Sequence, residues 1–348
     1  MKNSENHLGK NGEPQKVRTL ADLARIAGVS AGTVSRALAG KSLVNAETRD
    51  RIQTLAREHG FRPNQMASKL RSQKTGLIGV VVPLGHEKRQ HISDPFFLTL
   101  LGQIADELTE VGYDVMLRRV IPEDTTDWLE QLTGSGMVDG VIVIGQSDQF
   151  DIIESVAGHY HPLTVWGHHT PGQRHCVVGT DNALGGRMAA EHLIACGARS
   201  LAFLGVTTGI EIAARYRAAK SVADAAGIPL VHLPIDLAAA TMASQIERTL
   251  PDCKVDGIFA ASDLIAMSAL RVLHQHGRAV PDDVQIVGFD DLPLASQTMP
   301  PLTTIRQEID LGARILVEKL KARIAGEDTD HFVNAPQLIV RGTTRSAA

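Results

Sequence analysis

The sequence predicts a small all-α head joined to a larger α/β body of doubly wound parallel sheets. Three observations carry that prediction. Helix-period apolar spacing dominates the start of the chain, and short apolar runs alternate with helical stretches from Gly76 onward. The charge also changes sign between the two parts. Residues 1–75 hold 14 Lys and Arg against 6 Asp and Glu, a net of +8. Of the chain's 35 and 39, that leaves 21 against 33, a net of −12. A basic head on an acidic body is the pattern of a phosphate-binding module fused to something else.

Residues 1–16, with Gly9, Gly12 and Pro14, read as a disordered polar tail and not as a signal peptide. Thr19 opens a capping pattern completed by Asp22, ahead of Leu20, Leu23, Ala24 and Ala27 at helical spacing. Gly28 stops that helix where a left-handed residue costs least. Ser30 caps a second helix that turns Val34, Ala37 and Leu38 inward. Ala31, Gly32, Thr33, Ser35 and Arg36 are left outward. Two short helices joined by a tight turn containing glycine form a helix-turn-helix, whose second helix fits the DNA major groove. The alternative is an ordinary helical hairpin in a core. Small, hydroxylic and Arg side chains outward, on a basic segment, favour base edges and phosphates.

Gly40-Lys41-Ser42 lacks the upstream glycine and strand of a phosphate loop and reads as a plain loop. Asn45 caps a third helix running to about 59, with Ile52, Leu55 and Ala56 inward; Gly60 ends it and Phe61 closes a three-helix core. Residues 63–75 form a linker whose 64–70 stretch is too short to hold a helix alone in water. Lys69, Arg71 and Lys74 favour its folding on DNA, with Leu70 as a minor-groove wedge; the alternative is a solvated linker.

Beyond Gly76, strands are expected at 77–83, 114–118, 140–144, 163–166, 201–204, 257–260, 285–289 and finally 338–340. Helices are expected at 96–111, 183–196, 213–226, 242–250 and 263–276. About 270 residues suit two such lobes better than one. Ligands sit at the carboxyl ends of parallel strands. There the chain places Asp94, Trp166 with His168, Asp181, Ser262 with Asp263, and Asp290. Asp94-Pro95 is also an ordinary helix start, Asp181 and Asp263 also suit helix caps, and Trp166, Phe96 and Phe97 also suit a core. The histidines at 159, 161, 168, 169 and 175 lack metal-ligand spacing. Cys176, Cys196 and Cys253 are an odd, scattered trio, which fits a reducing cytoplasm better than a disulfide framework. No apolar run reaches membrane-spanning length.

Several motifs together resemble the lactose-repressor/galactose-repressor family of bacterial transcription factors, over residues 17–344. In the head they are Leu20-Ala21-Asp22-Leu23-Ala24, Gly28-Val29-Ser30, Thr33-Val34-Ser35-Arg36, Glu47-Thr48-Arg49, and Arg62-Pro63-Asn64 with Ala67 and Leu70. In the body they are Val138-Asp139-Gly140, Gly179-Thr180-Asp181-Asn182, Val287-Gly288-Phe289-Asp290 and Pro301-Leu302-Thr303-Thr304. The resemblance implies a homodimer on a pseudo-palindromic double-stranded operator, and a periplasmic-binding-protein-like sensor of two lobes. The implied division is a head at 17–62, a hinge helix at 63–75 and an effector-binding and dimerisation domain at 76–348. Its first lobe would hold about 76–167 and 307–331, and its second about 168–306 and 332–345.

Carried over position by position, the resemblance implies DNA contacts at Thr19, Ser30, Ala31, Gly32, Thr33, Ser35, Arg36, Asn45, Asn64, Ala67 and Leu70. Ala31 and Gly32 stand at the variable base-reading positions. The resemblance also implies effector contacts at Asp181, Arg217, Ser262, Asp263 and Asp290, with Arg217 and Asp290 as a clamp; position and chemistry add Asp94, Phe96, Phe97, Trp166 and His168. A carboxylate accepting from vicinal hydroxyls and an Arg donating to oxygens suit a saccharide. The reading is a repressor of a carbohydrate-catabolic operon, located in the cytoplasm at the nucleoid, with no cofactor and no catalytic constellation. A purine-type corepressor stays open as the alternative effector. A solute-binding protein is a weaker rival, since it would carry a secretion signal and no basic head. No leucine heptad follows the last strand, so a dimer is expected.

Overall fold

A computed structural model describes residues 17–38, 43–61, 74–84, 91–121, 127–146 and 149–346. The expected tail and nearly all of the expected hinge, including Asn64, Ala67 and Leu70, lie outside the described residues. The chain divides into two units, 1–75 and 76–348.

The first unit carries α1 (Leu20–Ala27), α2 (Ala31–Leu38) and α3 (Ala46–Glu58). Thr19 and Asp22 cap each other reciprocally: the Thr19 hydroxyl accepts from the Asp22 N–H at 3.1 Å, and the Asp22 carboxylate accepts from the Thr19 N–H at 3.1 Å. Gly28 closes α1 at φ 65°. Ser30 Oγ accepts from the Thr33 N–H at 3.1 Å, and Asn45 Oδ1 from the Thr48 N–H at 2.8 Å, so both expected caps form. Leu23, Val34 and Ile52 are fully buried at the centre, with Phe61 packed beside them. Arg51 spends its guanidinium inside the head, donating to the Ala27 carbonyl at 2.9 Å and tying α3 to the end of α1.

The second unit holds two six-stranded sheets. The first comprises β1 (Leu77–Pro83), β2 (Asp114–Val120), β3 (Gly140–Ile144), β4 (Leu163–Trp166), β5 (Cys176–Thr180) and β11 (Phe332–Asn334). Their order is β11-β5-β4-β3-β1-β2, parallel throughout. The second comprises β6 (Leu201–Leu204), β7 (Leu230–Leu233), β8 (Gly257–Ala260), β9 (Gln285–Asp290), β10 (Thr303–Arg306) and β12 (Gln337–Ile339). Their order is β12-β10-β9-β8-β6-β7, with only β12 antiparallel. Central strands such as β3 and β8 are buried along their whole length, as they must be when helices cover both faces.

The covering helices are α4 (Pro95–Glu110), α5 (Trp128–Gly134), α6 (Phe150–Ala157), α7 (Asn182–Ala195), α8 (Ile210–Ala225), α9 (Ala239–Thr249), α10 (Asp263–Gln275) and α11 (Ile309–Ile324). α11 follows a strand of the second sheet but packs Ile309, Ala313, Leu316 and Leu320 into the core of the first.

The chain therefore passes between the lobes three times: after β5, after β10 and after β11. The middle passage runs from Arg306 at the end of β10 to Ile309 at the start of α11. The first lies at Asp181 instead of about 167, and the third after Asn334 instead of about 331. β5 and β11 are short strands that complete the first sheet, pairing Phe332 with Val178 and Trp166 with Val178. Runs of five and three residues inside loops carry too little periodicity to reveal which sheet they join.

Candidate functional sites

On α2 the side chains divide by spacing. Val34 and Ala37 are buried, Ala31, Gly32 and Arg36 are exposed, and Thr33 and Ser35 lie half-buried between them. Ser30 and Thr33 share a hydroxyl–hydroxyl hydrogen bond of 2.9 Å. Thr19 and Asn45 serve as exposed caps. The result is a short helix with a small, polar, singly basic outer face, of the shape and chemistry that enters a major groove.

In the second unit, the carboxyl ends of the two sheets face each other across a cavity of about 120 Å³. Ile144, Trp166 and Thr180 end strands on one side; Ala261, Ser262, Asp290 and Gln307 follow or end strands on the other. Of the expected effector residues, Asp94, Phe96, Phe97, Trp166, Ser262 and Asp290 line this cavity. Phe96 lies between Phe97 and Trp166, with ring centroids at 5.7 and 6.3 Å. Asp94 also caps α4, accepting from the Phe96 N–H at 2.9 Å, and Ser262 caps α10, accepting from the Ile265 N–H at 3.3 Å. Each therefore serves as cap and as lining.

Four expected residues do not line the cavity. Asp181 caps α7, accepting from the Leu184 N–H at 2.8 Å. Asp263 is fully buried, accepting from the Thr304 hydroxyl at 2.5 Å and the Leu292 N–H at 2.8 Å, so its carboxylate anchors the β9 and β10 ends. His168 is half-buried; its backbone N–H donates to Gln146 Oε1 at 2.6 Å. Arg217 is exposed on α8, and Arg215 takes the inner place. Two residues apart on a helix is a rotation of about 200°, so only one of the pair can face in.

Arg215 donates through Nε to Asn182 Oδ1 at 2.7 Å and through Nη1 to the Ala261 carbonyl at 2.6 Å. Its guanidinium stacks 3.5 Å from the centre of the Phe289 ring. At Gly186 any side chain would overlap the Arg215 carbonyl, so α7 and α8 cross closely enough to fix Arg215 in place.

Sequence reasoning missed Glu211 and Gln307, which line the cavity together with Asn182, the neighbour of the expected Asp181. Gln307 Nε2 donates to Asp290 Oδ1 at 2.6 Å. Burial, with Asp263 next, drives the Asp290 carboxyl well above the carboxylate range. Burial likewise raises Asp263, to about 7, and raises Glu211. Burial lowers Arg215 to about 10, against the pull of Asp290, Glu211 and Asp263. Arg215 thus sits among three carboxyl groups, of which Asp290 and Glu211 line the cavity and give a hydroxyl-rich ligand fixed hydrogen-bonding partners, while Asp263 holds the wall from behind. Among the described residues no group of three His, Cys, Asp or Glu is placed to hold a metal ion, and no helix is long and apolar enough to cross a membrane.

A helix-turn-helix head and a two-sheet body built around a largely apolar cavity with a few convergent polar groups define a DNA-binding regulator that senses a small molecule. Residues 19–64 match the family model for bacterial regulatory proteins of the lacI family, and residues 190–344 match a periplasmic binding protein-like domain. The chain belongs to the lacI family. It is 31% identical to a ribose operon repressor of Halalkalibacterium halodurans, over 94% of this chain and 97% of that one. Among solved structures it is similar to the Lac repressor dimer bound to operator and the anti-inducer ONPF. The TM-score there is 0.82 at 25% identity, over 94% of this chain and 99% of that chain. It is similar also to a complex of the transcriptional regulator CelR with cellobiose, TM-score 0.63 at 29% identity, over 94% and 100%.

Proposed function

We propose that this chain represses a carbohydrate-catabolic operon, binding a pseudo-palindromic operator as a homodimer whose affinity is changed by a saccharide in the interlobe cavity. The observation that carries the reading is Asp290: a buried carboxyl at the cavity wall, braced by Gln307, in a cavity whose other lining includes Phe96 and Trp166. A carboxyl that accepts from hydroxyls, together with rings that cover an apolar sugar face, is a polyol-binding chemistry. Arg215, Asn182 and Ser262 add polar contacts, with Arg215 in the role that the sequence gives to Arg217.

On the DNA side, Ala31 and Gly32 read base edges while Thr33, Ser35 and Arg36 hold the backbone, with Thr19, Ser30 and Asn45 at the helix ends. Asn64, Ala67 and Leu70 belong to the hinge in this reading. The protein works at the nucleoid, in the cytoplasm, with no cofactor beyond its effector. A melting-temperature screen of ribose, cellobiose and sucrose against guanine and hypoxanthine tests the ligand class. A ligand at 100 times its Kd stabilises by about 2.7 kcal/mol. A shift with a sugar and none with either base is expected; a shift with the bases alone overturns the saccharide reading.

A further inference from the structure

Gln146 follows β3, is fully buried and lies beside the cavity without lining it. Its backbone N–H donates to Glu211 Oε1 at 3.3 Å, a bond from the first lobe to the first turn of α8 in the second. Its side chain is held by two other groups. The His168 N–H donates to Gln146 Oε1 at 2.6 Å, and Gln146 Nε2 lies 2.7 Å from His175 Nε2. Any side chain at residue 167 would overlap the Gln146 amide, so Gly167 leaves the space it occupies.

These contacts fix every proton in the chain. A backbone N–H only donates, so the amide oxygen must face His168 and the amide NH₂ must face His175. His175 Nε2 must then accept, which puts the imidazole proton on Nδ1, against the Glu154 carboxylate. Glu154 also accepts from the backbone N–H of Arg174 at 2.8 Å and of His175 at 3.0 Å. His175 itself is fully buried, with the Phe150 ring edge-on at 5.4 Å.

We propose that Gln146 is a positioning residue for ligand-driven lobe closure, its amide oriented by His175 and Glu154 so that its N–H meets Glu211 at the cavity wall. The inference rests on the effector reading above. Adding a proton to His175 turns Nε2 into a donor facing a donor, and the Gln146 amide cannot flip without confronting the His168 N–H. Acid therefore displaces the segment that carries the interlobe bond.

The groups facing His175 are Glu154 from α6, His331 ahead of β11 and His169 from the β4–β5 loop. Burial holds His175 below the ordinary histidine value, against the pull of Glu154, so the arrangement is intact at neutral pH.

The test compares wild type with Gln146→Met, which removes both side-chain hydrogen bonds, and Gln146→Glu, which keeps the His168 acceptor but favours a charged His175. Nitrogen-15 NMR of the histidine rings at pH 7.5 should find His175 neutral and protonated on Nδ1 in wild type, and charged in Gln146→Glu. With ribose, cellobiose and sucrose as probes, Gln146→Met should weaken sugar binding at least about tenfold at pH 7.5, while operator affinity without sugar stays within about twofold. The ratio of variant to wild-type Kd should shrink as pH falls below the ordinary histidine range, as wild type loses the same bond. Taking that ratio removes the titrations of Glu211, Asp263, Asp290 and His168, which both proteins share. Gln146→Glu should restore sugar binding to within about threefold of wild type, with a flat profile over the same range. A wild-type His175 protonated on Nε2, or a Gln146→Met variant that binds sugar like wild type, overturns the inference and leaves the effector reading standing. Wild type that binds no sugar overturns the effector reading and this inference with it.

Discussion

The head and the body place their working residues on opposite sides of their cores. In the head, Leu23, Val34 and Ile52 hold the helices while Ala31, Gly32 and Arg36 sit outside in water. In the body, Arg215, Asp263 and Asp290 are buried and carry perturbed proton affinities. An exposed basic face acts through screened charge and counterion release, so salt tunes it. A buried charged cluster is shielded from salt and answers to protons instead. The two units should therefore fail separately, each under its own variable.

The largest break comes from Leu23→Ala. Emptying a fully buried site costs about 2–5 kcal/mol, more than so small a helical unit can spare. Operator binding should be lost while sugar titrations of the body stay unchanged; a parallel loss of sugar binding would contradict separate folding of the two units. Asp290→Ala is the mirror experiment. Removing one partner of a buried hydrogen bond costs about 1–3 kcal/mol, so sugar affinity should fall roughly 5- to 150-fold with sugar-free operator binding intact. Calorimetry and operator titration on the same sample check both halves.

Arg36→Ala should lower operator affinity about tenfold and reduce the slope of log affinity against log salt by about one, across specific and unspecific duplexes alike. Asp263→Asn sharpens the proton side. The native carboxyl keeps its proton up to about 7, against an ordinary value of 3.8. The native state thus holds a proton that the unfolded chain has released, and the contribution of Asp263 to stability falls as pH rises between those values. The variant lacks that loss, so its melting temperature relative to wild type should be higher at pH 8 than at pH 5. The smallest effect belongs to Arg217→Ala, which should leave sugar affinity within about twofold because the inner position belongs to Arg215.

That last pair also shows what can be read from residues alone. The head was legible almost to the atom, because caps and faces there are set by neighbours three or four residues apart: Thr19 with Asp22, Ser30 with Thr33, Asn45 with Thr48. The cavity is assembled from segments as distant as Asp94 and Gln307, and local spacing does not say which of two adjacent polar residues turns inward. A usable signal was present on α8. Ile212, Arg215, Ala219 and Ala223 fall on one buried stripe at helical spacing, whereas Arg217 shares its face with Lys220 and Asp224. Asp263 and Asp181 read as ligand groups because a carboxylate at a helix start looks the same whether it faces a cavity, a cap or a buried Thr304. The short strands β5 and β11 were missed for a related cause, since sheet membership is decided by partners far along the chain.

The central claim is that the cavity and the recognition helix communicate. Operator affinity measured at fixed salt, with and without a saturating sugar that shifts the melting temperature, tests it most directly. Coupling of about 1–3 kcal/mol predicts a change in Kd of roughly 5- to 150-fold. An operator Kd that is the same with the cavity filled and empty would contradict the account.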